Sequence, residues 1–124
     1  IRHRNIRIMT DANKKIWRVM DAGTSLSNIT APATGAFVVF LKGDLTGHSF
    51  GRATSTGVQK VDSTAVNTTT TDTFIGGNWE NGTAAAWKAY GAAFYDRKLS
   101  DSELIQVAER LIKRAKYLGV TVNG

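Results

Sequence analysis

Trp87-Lys88-Ala89-Tyr90-Gly91-Ala92-Ala93-Phe94-Tyr95, Asp96-Arg97-Lys98-Leu99 and the run from Ser100 to Gly119 form the stretch that decides the fold. The first part reads as a buried strand, the second as an elbow and the third as an amphipathic helix. Ser100 and Glu103 have the S-x-x-E spacing of a capping box, in which each residue satisfies an orphan N–H of the first turn. Leu99 and Leu104 stand at the two positions of a hydrophobic staple, which fixes the angle at which the chain enters the helix. Leu104, Val107, Ala108, Leu111, Ala115 and Leu118 recur at helical spacing and define the expected core face. Arg110, Lys113, Arg114 and Lys116 load the half where the helix dipole favours cations, and Gly119 suits a left-handed residue after the last turn.

Upstream of this stretch the chain reads as β-structure. Asn5–Met9 and Lys15–Met20 alternate around the turn signal Thr10-Asp11-Ala12-Asn13, which predicts a hairpin. Residues 22–36 are small and polar and read as a loop holding Pro32. Ala36–Lys42 is a continuous apolar run of the kind found in a central strand covered on both faces. Gly43–Gly47 turns the chain, and His48–Ala53 and Val58–Val66 are further strands. Asn67–Asp72 is a polar loop, Thr73–Gly77 a short strand, and Asn78–Thr83 a turn carrying Trp79. Thr121–Gly124 is a tail with room for one short strand. Many strands and one late helix, with no helical crossover between strands, predict a mainly β fold: an antiparallel β-sandwich closed by one C-terminal α-helix.

The 124 residues suit one domain, 1–124, expected as the C-terminal module of a longer polypeptide because the chain starts at Ile1. The absence of cysteine excludes disulfides and thiolate metal sites. No apolar run approaches the roughly 18 residues needed to span a bilayer, so no membrane insertion is expected. The net charge of +6 raises the question of a polyanionic partner. Its cations divide between the N-terminal strands and the helix end, and no nucleic-acid motif accompanies them.

The segment Phe74-Ile75-Gly76-Gly77, the aromatic turn after it, and Tyr90-Gly91-Ala92-Ala93-Phe94-Tyr95-Asp96-Arg97-Lys98-Leu99-Ser100-Asp101-Ser102-Glu103-Leu104 together resemble the end of concanavalin A-like, or laminin G-like, jelly-roll domains. The resemblance spans roughly residues 73–118. It implies a lectin-like module of the kind carried by bacteriophage tail fibres, tailspikes and secreted carbohydrate-active proteins. It also implies a homotrimeric virion or extracellular assembly that recognises host cell-surface polysaccharide. The calcium ligands of that family have no counterpart here, so no metal or other cofactor is expected. A ligand-free trimerisation or decoration domain and an accessory domain of a polysaccharide depolymerase stand as alternatives.

Catalytic signatures are missing. His3 and His48 have no acidic or serine partner at a recognisable spacing, and neither G-x-S-x-G nor H-E-x-x-H occurs. No sequence pattern pairs two of Asp44, Asp62, Asp72, Glu80 and Asp96 across a cleft, as glycoside hydrolysis requires. Sugar binding instead asks for an aromatic ring flanked by amides and carboxylates, because the ring stacks on sugar C–H faces while polar groups orient the hydroxyls. Asn78, Trp79, Glu80 and Asn81 fit that description on a loop. His48 and Arg52 bracket Phe50 on one face of a strand and complete the candidate carbohydrate-binding set. Trp17, Trp87 and Tyr90 are expected in the core, and Asp96 with Arg97 is expected to fix the elbow.

Overall fold

The computed structural model describes residues 2–3, 6–10, 15–20, 25–32, 34–64 and 88–123, with side chains from Ile29 onward. Two antiparallel sheets and one helix make up this part of the chain. β1 (Arg2–His3), β2 (Ile6–Thr10), β3 (Lys15–Met20) and β4 (Ser25–Thr30) form one sheet in that order. β5 (Val38–Asp44), β6 (Gly47–Ala53) and β7 (Val58–Ser63) form the other. Strands that follow one another in sequence are neighbours in both sheets. α1 (Asp101–Tyr117) closes the chain.

The hairpin expected from the alternation of the first twenty residues is formed, with Ile6 opposite Met20 and Thr10 opposite Ile16. β4 corrects the reading of residues 22–36 as loop throughout. Ser25-Leu26-Ser27-Asn28-Ile29-Thr30 has few strong strand formers, yet it pairs with β3 through a bulge between Trp17 and Val19. Ile29 is buried.

β5 is covered on both faces, as its apolar run requires, but it lies at the edge of its sheet rather than in the centre. Because side chains alternate along a strand, Val39 and Leu41 join Ile29, Ala31 and Phe50 on one face. Val38 and Phe40 join Ala53, Leu104, Ala108 and Ile112 on the other. The first cluster holds the end of the four-stranded sheet against the three-stranded one, and the second seats α1 on the opposite face. The central strand is β6, where Gly47–Gly51 and Ala53 are all buried. Its glycines let the neighbouring backbone approach closely: a Cβ at Gly51 would lie 2.0 Å from the Gln59 carbonyl oxygen.

The helix begins and ends where the sequence places it. Ser100 Oγ accepts from the Glu103 N–H, and Glu103 Oε2 accepts from the Ser100 N–H at 2.9 Å. At the other end Gly119 has φ +80. The Val120 N–H donates to Ala115 O and the Gly119 N–H to Lys116 O, which is the Schellman pair of bonds. The buried stripe is Leu104, Ala108, Ile112 and Ala115. Of the expected set Leu104, Ala108 and Ala115 are buried, Val107 and Leu111 are half-buried and Leu118 is exposed, while Ile112, outside that set, is buried. The 4-4-3 spacing keeps the stripe in one narrow band over β5, whereas Leu118 falls after the last turn. The tail then returns to β5. Val122 bridges Ala36, and the Asn123 N–H donates to Ala36 O at 2.7 Å.

A further element departs from the sequence reading. Lys88–Tyr95 belongs to neither sheet and has no strand partner among the described residues. The segment is exposed, and Tyr90 with it. Its residues include no Val, Ile or Thr and are rich in Ala and Gly, so its intrinsic strand preference is weak.

Candidate functional site

The described polar groups gather at the N-terminus of α1. Asp101, in the first turn, receives Lys42 from β5 through Oδ1 and Lys60 from β7 through Oδ2 at 2.8 Å. Lys42 Nζ also donates to the Leu99 carbonyl at 3.1 Å. On the same sheet face Ser49 donates to Asp62, which lies 3.8 Å from Lys60. Two lysines beside it hold the Asp101 carboxyl below its ordinary range, the Lys42 hydrogen bond contributing most. The Lys60 ammonium is correspondingly pushed up by its bond to Asp101. This network neutralises charge in place and fastens the helix to the sheet. Its chemistry is that of a latch.

The elbow is a second latch. Arg97 pairs with Glu103 in a two-pronged bridge of 2.9 and 2.7 Å, rather than with its neighbour Asp96. Glu103 therefore serves the guanidinium and the helix cap at once, and its carboxyl is held down to about 2, first by Arg97 and then by the Ser100 N–H. Lys98 reaches Asp44 at 3.6 Å, at the β5–β6 hairpin tip. There Asp44 accepts from the Thr46 N–H at 2.8 Å in a side-chain-stabilised turn, and the Thr46 bonds lower its carboxyl pKa. The conspicuous sequence motif is thus committed to holding the domain shut.

His48 and Arg52 do share one face of β6 with Phe50 between them, as alternation demands. That face is turned toward β4, and His48 is only 5% exposed. Arg52 is half-buried and donates from Nε to Gln59 Oε1 at 3.0 Å. Asn78, Trp79, Glu80 and Asn81 lie outside the described residues, as do Thr73–Gly77 and Trp87.

The structure instead reveals an aromatic surface. Phe94 is 66% exposed, and Tyr90 and Tyr95 are open to solvent beside it. Gly91 packs against α1, where an added Cβ would stand 3.3 Å from Leu111 Cδ2. Arg97, six residues on, is tied to Glu103. The segment therefore runs antiparallel to the helix along its Leu111 flank and presents its rings to solvent. The signal available in the sequence was the pattern itself: large aromatics separated by Ala and Gly, without the β-branched residues of a core strand. Among the described residues no three His, Asp or Glu come together as metal ligands, and no helix is long and apolar enough to cross a membrane.

No protein family, curated protein or solved structure matches this chain.

Proposed function

We propose that this chain is a non-catalytic, lectin-like carbohydrate-binding module, a concanavalin A-like jelly roll closed by α1. Its place is a bacteriophage tail fibre, tailspike or comparable extracellular assembly, and its ligand is host surface glycan. The observation that carries this reading is the solvent exposure of Tyr90, Phe94 and Tyr95 in the segment beside the helix. Exposed aromatic rings give up favourable burial unless a ligand covers them, and a flat ring matches the C–H face of a pyranose. The residues that carry the family resemblance also support it, since the capping box and elbow form around Ser100 and Glu103.

A glycan array probed with the wild-type chain, Phe94→Ala and Trp79→Ala tests the proposal. Binding by the wild type and its loss in either variant, with the fold retained, is the expected result. A wild type that retains no glycan refutes it. The second reading is a structural homotrimerisation or decoration domain. The exposure of Leu45 (82%) and Phe94 favours it, because a second copy would cover such groups equally well. Molar mass in solution separates the two. A trimer that Phe94→Ala dissociates, together with an empty array, supports the structural role.

A further inference from the structure

We propose that the outer face of α1, together with the aromatic segment along its flank, binds an anionic polysaccharide: a chain whose sugars carry carboxylate or sulfate groups. This inference rests on the carbohydrate-binding reading and names the ligand class and the cationic half of the site. Arg110, Arg114 and Tyr117 stand at i, i+4 and i+7, so they form one stripe on the side of the helix away from Leu104, Ala108, Ile112 and Ala115. All three are exposed, Tyr117 at 89%. Between Leu104 and Tyr117, four cations accompany the single carboxylate of Glu109. Glu109 is taken up by Lys113 at 2.8 Å. Among the described residues Arg110 and Arg114 have no ion-pair partner. The helix dipole accounts for cations in the last turn, where Arg114 and Lys116 lie. It accounts neither for Arg110, one turn earlier, nor for an exposed tyrosine at the end of the stripe.

The second observation is placement. Gly91 touches Leu111, and Arg114 is the next residue along that side of the helix, at i+3 from Leu111. With the segment antiparallel to the helix, Tyr90 is carried along the flank that Arg114 borders, and Phe94 lies further toward the helix N-terminus. Rings for sugar C–H faces and guanidinium forks for carboxylate or sulfate thus share one surface. A neutral glycan would use only the first. A guanidinium offers planar two-pronged recognition of an oxyanion, which selects for acidic sugars.

Titration calorimetry of the 124-residue chain with polygalacturonate, dextran and a single-stranded oligonucleotide, at low and physiological salt, tests this. Polygalacturonate is expected to bind, more weakly as salt rises. Arg110→Ala/Arg114→Ala should weaken it about tenfold or more, with the far-UV spectrum unchanged. Lys113→Ala, whose cation Glu109 already engages, should change binding far less. Unaltered affinity in the double variant, or affinity indifferent to salt, overturns the proposal. Dextran or an array glycan bound without polygalacturonate overturns it too, while leaving the carbohydrate-binding reading intact. Binding of the oligonucleotide alone overturns both and makes the face a nucleic-acid surface.

Discussion

Replacing Asp101 with alanine should unlatch the helix from the sheet at a cost set by how much of the network is dry. The Lys42 side chain is 10% exposed, whereas that of Asp101 is 45% exposed. Breaking a fully buried pair costs about 3–5 kcal/mol and an exposed one about 0–1. A dry lysine facing a half-wet carboxylate falls between, at about 1–2 kcal/mol. Lys60 adds little, since its side chain is 32% exposed. In urea, with m of about 1.5 kcal/mol/M, the midpoint should fall by about 1 M at unchanged slope. Lys42→Met should recover much of the loss in the Asp101→Ala background, because it removes the stranded charge and keeps the apolar stem over the sheet. The pH dependence has a definite sign. The Asp101 carboxyl is lowered from 3.8 in the fold. Its contribution is therefore present in full above that value and is lost as pH falls through the lowered one. Wild type and Asp101→Ala should converge in acid. A loss below about 0.3 kcal/mol, or a gap undiminished at low pH, would refute the latch.

Three further outcomes follow from the packing. Leu104→Asp should unfold the domain by placing a charge in the cluster of Phe40, Ala53, Ala108 and Ile112, read by circular dichroism. Gly51→Ala should cost more than about 2 kcal/mol by driving β6 from β7, while Gly57→Ala, with nothing within 4 Å of its Cβ, should be nearly silent in the same urea titration. Ser100→Ala should cost about 1 kcal/mol through the lost cap bond to the Glu103 N–H.

The helix was legible because its signals are local. Ser100, Glu103 and Gly119 act within a few residues of themselves, and the capping box and left-handed end are formed as their spacing implies. Tertiary placement was less legible. A continuous apolar run reports that Val38–Asp44 is covered on two faces, but not whether the strand is central or at an edge. Ser25–Thr30 hides as a loop because small polar residues become a strand only when β3 supplies a partner. The aromatic segment misled in the opposite direction. Tyr90, Phe94 and Tyr95 look like core by composition, and only their position beside α1 shows them facing solvent. Alternation likewise gives the face that His48 shares with Phe50, but not what that face packs against.

The most direct test of glycan binding at this surface is an amide chemical-shift titration of the chain with polygalacturonate. Perturbations are expected to concentrate at Tyr90, Phe94 and Tyr95 and along Arg110, Arg114 and Tyr117, with the Ser100–Glu103 cap undisturbed. Perturbations confined to the cap and the Lys42–Asp101–Lys60 latch, or none at saturating polymer, would contradict it.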